Sequence, residues 1–320
     1  MMPPAADLPR DTARPRVLIA GREGQLARAL LPAFEAAGWS AIALGRPALD
    51  LAAPAGEIIA TVARHRFDLL VNAAAYTAVD RAEDEPEAAM AVNRDGAAAL
   101  AAAALEQGAP ILHVSTDYVF DGRKGAPYTE DDTTAPLGAY GRSKLAGEQA
   151  VLAANPRAAI LRTSWVCSAT GHNFVRTMLR LARERDEVAV VDDQRGAPTF
   201  AEDLAAAILR MADTLAWADR EAEPFGIFHL SGAPDTTWHG FAAAIFAGAA
   251  ARGHRVPRLR AIPTSAYPTR AARPTDSRLA GSRIAEVYGI ARPDWRPALE
   301  RCLDALIGPP VRARIAASAA

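Results

Sequence analysis

Short apolar runs alternate along the chain with longer segments that have a helical spacing of apolar residues. The runs at 16–20, 41–44, 68–73, 111–115 and 158–164 have the length and composition of buried strands. Between them, apolar spacing and the positions of Pro and Gly predict helices over 24–37 and 86–107, and a further helix that begins near Tyr140. Strands that alternate with helices are typical of parallel sheets with crossover connections. We therefore expect an α/β fold with a doubly wound, Rossmann-like parallel sheet.

The pattern loosens after Trp165, where Pro, Gly and aromatic residues separate predicted helices at 173–184, 201–218 and 238–251. Two strand-like pieces, "VAVV" and 227–230, fit either the main sheet or a small second sheet. We expect a flexible leader at 1–15, and a mainly dinucleotide-binding Rossmann domain at 16–165. A smaller substrate lobe should follow, mainly at 166–308 with some segments returning to the main sheet, and then a tail at 309–320.

Composition narrows the classes of partner. The 36 Lys and Arg residues nearly balance 37 Asp and Glu residues, which gives a net charge of -1 and none of the basic excess typical of nucleic-acid or membrane binding. No window reaches the ~18 consecutive apolar residues of a membrane span. The two Cys and six His residues show no metal-binding spacing. These features favour a small-molecule partner, a cytoplasmic location and no structural metal.

A glycine-containing turn, "GREGQLA", follows the first predicted strand and places Gly21, Gly24 and Ala27 at three-residue steps. Glycine permits a tight turn and close approach of the backbone to a pyrophosphate, and the following helix presents amide donors. The same turn could serve packing alone.

The second predicted strand ends in "ALGRPALDL", without the acidic residue that commonly holds the adenosine ribose of NADH. Arg46 could instead pair with a 2'-phosphate, which favours NADPH over NADH. Asp50 is a second candidate for contact with the adenine end. Arg46 could equally be a solvated loop residue.

Polar and small side chains follow the next two strands. Asn72 precedes three alanines, which leave room for a ribose or a flat ring, and the fourth strand delivers Ser115 to Tyr118 to the same edge. Tyr140 and Lys144 then lie one helical turn apart. A phenol, an ammonium group that stabilises its phenolate and a hydroxyl that polarises a carbonyl are the groups required to protonate a reduced ketone.

Together these motifs resemble the extended short-chain dehydrogenase/reductase family. The resemblance spans about residues 17–303 and also includes "DLLVNAAAYTAVDRAEDEPEAAMAVN", "STDYVFDG", "YGRSKLAGE", "LRTSWV" and "PTSAYPTRAARPTDSRL". It implies Tyr140 as proton donor, Lys144 as its partner and Thr116 as the hydroxyl that tunes the carbonyl. The implied cofactor-binding residues are Gly21, Gly24, Gln25, Leu26, Arg46, Asp50, Leu51, Ala73, Ala74, Ala75, Tyr140 and Lys144. The implied substrate-binding residues are Thr116, Asp117, Tyr118, Trp165, Asn173, Arg273 and Ser277.

The resemblance implies NADPH-dependent reduction of the 4-keto group of dTDP-4-dehydro-L-rhamnose, by a monomer or weak homodimer. NADH stays a second possibility as cofactor. Some family members hold Mg²⁺ at a subunit contact, but of the matching positions only Glu202 is acidic, whereas Ala29 and Arg296 are not. We therefore expect no Mg²⁺ site. The alternatives are another nucleotide-sugar epimerase, dehydratase or reductase, or a noncatalytic subunit like the methionine adenosyltransferase beta subunit.

Overall fold

Twelve strands and ten helices are present in the computed structural model, which describes residues 14–218 and 224–311. Most of the predicted leader and residues 312–320 of the predicted tail lie outside the described residues. The strands are β1 (Arg16–Ala20), β2 (Ser40–Leu44), β3 (Leu69–Asn72), β4 (Ile111–Thr116), β5 (Ala158–Thr163), β6 (Val166–Cys167), β7 (Glu187–Val191), β8 (Arg195–Gly196), β9 (Thr199–Phe200), β10 (Gly226–His229), β11 (Thr236–Thr237) and β12 (Arg258–Ile262). The helices are α1 (Gln25–Ala36), α2 (Ala55–Val62), α3 (Pro86–Met90), α4 (Ala97–Glu106), α5 (Ala139–Ala154), α6 (Phe174–Glu184), α7 (Ala201–Leu215), α8 (Trp238–Ala251), α9 (Ser282–Tyr288) and α10 (Trp295–Ile307).

Six parallel strands form the main sheet in the order β10-β5-β4-β3-β1-β2. The chain runs outward from β1 to β2 and then crosses to β3 on the other side of β1, so the strand order reverses between β1 and β3. Ligands of doubly wound sheets bind at the carboxyl ends of the strands at such a point. The predicted doubly wound parallel sheet is confirmed, and its reversal brings the turn after β1 next to the segment after β3.

Hydrophobic layers cover both faces of this sheet. One buried cluster includes residues of α1, α7 and α9, and the other includes residues of α2 and α4. The sequence patterns did not predict α2, whose eight residues, AGEIIATV, include a glycine and β-branched residues that weaken its helical signal. The helices predicted at 24–37, 173–184, 201–218 and 238–251 are confirmed with small differences at their ends.

The predicted single helix over 86–107 is interrupted by a π-helical turn, Ala91–Gly96, between α3 and α4. Within this turn the buried Asn93 donates to Ser143 Oγ at 2.9 Å and accepts from the Tyr76 amide at 2.8 Å. The π turn thereby ties α5 to the loop after β3. The regular helix was a wrong prediction, because apolar spacing does not register a buried amide with tertiary partners.

The later half of the chain adds one strand to the main sheet and also forms small two-stranded sheets with a hydrophobic cluster of their own. The piece at 227–230 lies mainly in β10 of the main sheet, whereas "VAVV" lies in β7 and pairs with β12. Further two-stranded sheets join β6 to β9 and β8 to β11. A separate hydrophobic cluster packs α6, α8 and α10 together. Within the described residues, no helix is both long and apolar enough to cross a membrane.

Candidate active site

The turn between β1 and α1 has the geometry of a dinucleotide-binding turn. Gly21 has a φ of 121°, and a Cβ there would lie 3.2 Å from the carbonyl carbon of Ala73. Glycine is therefore required both by the conformation and by the close approach of the two segments. Gly24 is the N-cap of α1, and no side chain caps the helix and no acidic residue occupies its first turn. The amides at this helix end suit an anionic pyrophosphate.

Gln25 connects this turn to the later half of the chain through its side chain. Its Oε1 accepts from Ser168 Oγ at 2.9 Å and from Asn173 Nδ2 at 2.8 Å, while its Nε2 donates to the Val166 carbonyl at 3.3 Å. Only the backbone of Gln25 is therefore suited to the predicted pyrophosphate contact. The side chain instead joins the predicted cofactor turn to the predicted substrate segment.

Two arginines lie near the predicted adenosine end. Arg46 is exposed just beyond β2, and a Cβ on its neighbour Gly45 would lie 2.9 Å from Arg22 Cβ. Arg22 could not be identified from sequence, because its proximity to Gly45 arises only in the folded sheet. Asp50 is exposed and accepts from the Ala52 amide at 3.0 Å, and Leu51 is buried.

Tyr140 lies in the first turn of α5, which is anchored next to the end of β4. Glu83 Oε1 accepts from the Ala139 amide at 2.6 Å at the start of the helix. A Cβ on Gly141 would lie 2.3 Å from the Tyr118 carbonyl oxygen, so only glycine allows this approach. The Tyr140 ring meets the Tyr118 ring edge to face, with centroids 5.9 Å apart. The helix thus presents Tyr140 to the segment that follows β4.

Burial and Thr116 determine the acidity of the Tyr140 phenol. Burial raises the pKa of Tyr140 to about 12, and the neighbouring Thr116 hydroxyl opposes that rise. Thr116 Oγ1 also donates to Asp117 Oδ1 at 3.0 Å and accepts from the Tyr118 amide at 3.2 Å. The predicted hydroxyl and phenol are therefore neighbours, with the phenol protonated near neutral pH.

Lys144 lies one turn further along α5 and is 1% exposed. Its Nζ donates to the Val114 carbonyl at 2.8 Å and lies 3.2 Å from His113 Nε2. Burial lowers the pKa of Lys144 to about 8, with a smaller opposing effect of Glu148. Lys144 was predicted to pair with a Tyr140 phenolate, but the hydrogen bonds of its Nζ in the chain without ligand are to residues of β4. Its catalytic role stays a prediction.

Asp117 is buried next to this pair. Burial raises the pKa of Asp117 to about 7, although the neighbouring Ser277 and Thr116 hydroxyls lower it in part. Its Oδ2 has no hydrogen-bond partner among the described residues. A buried carboxylate oxygen without a partner is costly.

Arg273 reaches the same cluster from the "RPTDSRL" segment. It donates to Asp80 Oδ2 at 2.7 Å and to Asp80 Oδ1 at 3.2 Å, and it also interacts with Tyr118. Burial raises the pKa of Tyr118, while Arg273 lowers it. Arg273 and Ser277, which are far from Thr116 in sequence, therefore meet the end of β4. Asp80, which the sequence analysis did not single out, holds Arg273.

Trp165 follows β5 in a left-handed conformation, with a φ of 46° that is uncommon outside glycine. Its ring stacks on Trp238 with centroids 3.6 Å apart, and a Cβ on Gly196 would lie 2.7 Å from it. Asn173 is the N-cap of α6, accepts from the Arg176 amide and donates to Gln25. Its side chain therefore organises the predicted substrate segment, and contact with a substrate stays a prediction.

In the parts of the chain that the structure describes, no group of three or more His, Cys, Asp or Glu residues could hold a metal ion. Glu202 lies in the first turn of α7, while Ala29 belongs to α1 and Arg296 to α10. Cys167 and Cys302 are buried and free.

Residues 15–307 match the family model described as RmlD substrate binding domain. A dTDP-4-dehydrorhamnose reductase of Sinorhizobium fredii is 45% identical over 91% of this chain and 98% of its own length. A reductase of the same name from Burkholderia thailandensis is 44% identical over 91% of this chain and 99% of its own.

Solved structures agree with these relatives. The crystal structure of a dTDP-4-dehydrorhamnose reductase from Clostridium acetobutylicum superposes with a TM-score of 0.84 and 34% identity, over 91% of this chain and 99% of the other. The same enzyme from Bacillus anthracis, in complex with NADP, gives a TM-score of 0.83 and 33% identity over the same shares. The chain therefore belongs to the dTDP-4-dehydrorhamnose reductase family, a family of NAD(P)H-dependent oxidoreductases.

Proposed function

We propose that this protein reduces the 4-keto group of dTDP-4-dehydro-L-rhamnose with NADPH and releases dTDP-L-rhamnose. The observation that carries the proposal is the juxtaposition of the Tyr140 phenol and the Thr116 hydroxyl at the carboxyl edge of the sheet, the edge that also carries a dinucleotide-binding turn. A proton donor and a carbonyl-polarising hydroxyl are needed wherever a ketone becomes an alcohol. The names of the relatives indicate which ketone.

The proposed cofactor fits the residues of the turn. When bound, NADPH supplies the hydride. The backbone amides of Gly24, Gln25 and Leu26 would hold its pyrophosphate, and Ala73 to Ala75 leave space at the neighbouring strand end. Arg46 and Arg22 would face the adenosine 2'-phosphate, since a guanidinium group matches phosphate geometry. The NADP in the Bacillus anthracis relative supports this preference.

Tyr140 would donate its phenol proton to the substrate oxygen as that oxygen gains negative charge. Its raised pKa, about 12, keeps the proton in place until the substrate requires it. Thr116 would hold the carbonyl next to the phenol, and Lys144 would support Tyr140 from the following helical turn. Asp117 Oδ2 would accept a sugar hydroxyl, because no protein group satisfies it among the described residues.

We propose that the remaining predicted residues border the sugar nucleotide. Trp165 offers an aromatic surface supported by Trp238, which suits a sugar ring or base. Arg273, aligned by Asp80, would pair with the diphosphate, and Ser277 and Tyr118 would border the sugar. Asn173, at the start of α6, would also contact the substrate.

The test is an assay of NADPH oxidation by the purified protein with dTDP-4-dehydro-L-rhamnose, run in parallel with the matching UDP-linked 4-keto sugar. We expect turnover with the dTDP sugar, and product identified as dTDP-L-rhamnose by mass spectrometry and NMR. Binding of NADPH without oxidation by either sugar would instead indicate a noncatalytic nucleotide-binding module. Faster turnover of the UDP sugar would show that the protein is a reductase of a different nucleotide sugar.

We further propose that the protein acts in the cytoplasm as a monomer or weak homodimer, without a nucleic-acid or membrane partner. The two buried free thiols and the near balance of charge support this proposal. Sedimentation velocity over a range of concentrations, with and without Mg²⁺, tests the oligomeric state. A tight dimer that requires Mg²⁺ would contradict it.

A further inference from the structure

A buried row of polar groups behind the sheet edge connects Asn72, His113 and Lys144. Asn72 and His113 lie on the neighbouring strands β3 and β4, and Lys144 comes from α5. The three residues are 1%, 0% and 1% exposed, so bulk solvent does not reach them. Asn72 Nδ2 lies 2.9 Å from His113 Nδ1, and His113 Nε2 lies 3.2 Å from Lys144 Nζ. Each group must therefore be satisfied by its neighbour.

The direction of these hydrogen bonds is set at the far end of the row. The Ala74 backbone amide, which can only donate, lies 3.1 Å from Asn72 Oδ1. The carboxamide oxygen therefore faces Ala74, and its nitrogen donates to His113 Nδ1. A neutral imidazole that accepts at Nδ1 carries its proton at Nε2. Burial, and the positive charge of Lys144 whenever that residue is an ammonium, hold the pKa of His113 well below its ordinary value, so the ring is neutral.

The proton on His113 Nε2 points at Lys144 Nζ. An ammonium group has no lone pair and cannot accept this hydrogen bond, whereas a neutral amine can. The neutral amine still donates to the Val114 carbonyl at 2.8 Å, so every group in the row is satisfied. This hydrogen-bond pattern therefore stabilises the uncharged amine of Lys144 relative to the ammonium.

The charged groups around Lys144 are compatible with this state. Glu148, one turn further along α5, is the nearby carboxylate that favours an ammonium. However, Arg162 on β5 donates to both Glu148 oxygens, at 2.9 and 2.7 Å, and Ser115 on β4 also hydrogen-bonds to Glu148. Tyr140 on α5 is protonated near neutral pH. The carboxylate is therefore largely neutralised by the buried arginine.

We propose that His113 is a positioning residue that stabilises the neutral amine of Lys144 in the cofactor-free enzyme, so that at alkaline pH NADPH binding is coupled to uptake of a proton by Lys144. The inference rests on the proposed cofactor site. A bound dinucleotide brings negative charge and hydroxyl acceptors to the sheet edge, which favours an ammonium. The ammonium then repels the His113 Nε2 proton, which frees Nζ to donate toward the cofactor.

The test is calorimetric titration of NADPH into the cofactor-free protein, in buffers of different ionisation enthalpy, which counts the protons taken up. Because the pKa of free Lys144 is lowered to about 8, uptake should rise from about 0.1 proton at pH 7 to about 0.9 at pH 9. Binding with no pH-dependent uptake overturns the inference and leaves the proposed function intact. Absence of NADPH binding overturns the proposed cofactor and the inference together.

Variants identify the source of the proton. Lys144→Met should abolish the uptake at pH 9, and retained uptake there would assign it to another group, such as Asp117, and overturn the inference. His113→Gln places an oxygen where it can accept from the ammonium, so uptake should fall below half of the wild-type value. Wild-type uptake in a folded His113→Gln variant would contradict the role of His113. If His113→Gln does not fold, the wild-type and Lys144→Met titrations still test whether Lys144 takes up the proton.

The matched control is Asn155→Leu. Asn155 is also fully buried, at the far end of α5, and its Nδ2 donates to the Ala101 and Ala109 carbonyls at 3.4 and 3.1 Å. Its substitution removes buried hydrogen bonds that involve neither Lys144 nor the Glu148–Arg162 pair. We expect wild-type proton uptake in this variant, and a loss equal to that of His113→Gln would show a general structural effect and overturn the inference.

Discussion

Asp117 is a buried ionisable residue, and one of its carboxylate oxygens has no hydrogen-bond partner among the described residues. Burial raises its pKa to about 7 from an ordinary value of 3.8. Between these pH values the folded state binds more protons than the unfolded state, so stability attributable to Asp117 is present at pH 4 and is lost as pH rises through 7. This is the cost expected of a group kept ready for a ligand.

We therefore predict that Asp117→Asn raises the melting temperature relative to wild type at pH 8, by on the order of a few °C. The difference should shrink at pH 5, where wild-type Asp117 is already protonated. Thermal unfolding followed by circular dichroism at both pH values measures it. An equal difference at pH 5 and pH 8 would show that the Asp117 carboxylate carries no pH-dependent cost.

Arg46 provides a prediction about cofactor choice. Arg46→Ala should weaken NADPH binding about 10- to 100-fold and NADH binding less than about 3-fold, because only NADPH carries the 2'-phosphate. Fluorescence titration with both cofactors measures the two dissociation constants. Arg66→Ala is the matched control, since Arg66 is also exposed but precedes β3 at the opposite edge of the sheet. Equal losses for NADPH and NADH would remove the 2'-phosphate argument.

Some residues of the candidate site could be identified from the sequence, and others could not. Tyr140 and Thr116 could be found because each follows from a short motif placed on an identifiable strand or helix. The partners of Lys144 could not be found, because His113 was one of six histidines without a metal spacing. Its position beside Lys144 arises only when β4 packs against α5. Asp80 and Trp238 were missed for the same reason, as each acts by holding a residue distant in sequence.

At the scale of elements, Gln25 joins α1 to the segment between β6 and α6. We predict that Gln25→Leu raises the KM for the sugar nucleotide about 10-fold or more, because three hydrogen bonds that each contribute about 1 kcal/mol are lost. The Kd of NADPH should change less than about 3-fold, since the predicted pyrophosphate contacts are to backbone amides. Steady-state kinetics and cofactor titration separate the two effects.

Gln107→Leu is the control for this prediction. Gln107 also donates across elements, to the His65 carbonyl at 3.0 Å, but it lies beyond the end of α4, away from the predicted cofactor turn. This variant should retain the wild-type KM. A Gln25→Leu variant that weakens NADPH and leaves the sugar KM unchanged would show that Gln25 serves the cofactor rather than the substrate segment.

Element types were predictable where apolar spacing and turn residues agreed, as in β1, α1 and α8. The π turn was not predictable, because it depends on Asn93 meeting Ser143 and Tyr76 and on close approach at two glycines. A Cβ on Gly147 would lie 2.0 Å from the Asn93 carbonyl oxygen, and one on Gly96 would lie 2.3 Å from the Leu51 carbonyl oxygen. The spacing of apolar residues within one segment does not predict contacts with segments distant in sequence.

For the whole molecule, alternation of strands and helices was enough to predict a doubly wound sheet. It did not determine which later segments join that sheet, since β7 and β10 have similar apolar character and differ only in their partners. The division at residue 165 stays a proposal. The later half of the chain supplies strand β10 to the main sheet and helix α7 to one of the hydrophobic layers that cover it. It also places Arg273 and Ser277 beside the end of β4.

The central claim is that Tyr140 protonates the reduced sugar. Its most direct test is the kcat for NADPH oxidation by Tyr140→Phe with saturating dTDP-4-dehydro-L-rhamnose, alongside Tyr118→Phe, which alters the neighbouring ring in the same way. We predict that Tyr140→Phe lowers kcat at least ~100-fold with an unchanged Kd for NADPH, whereas Tyr118→Phe mainly raises KM. A folded Tyr140→Phe variant with a kcat within about 3-fold of wild type would contradict the assignment.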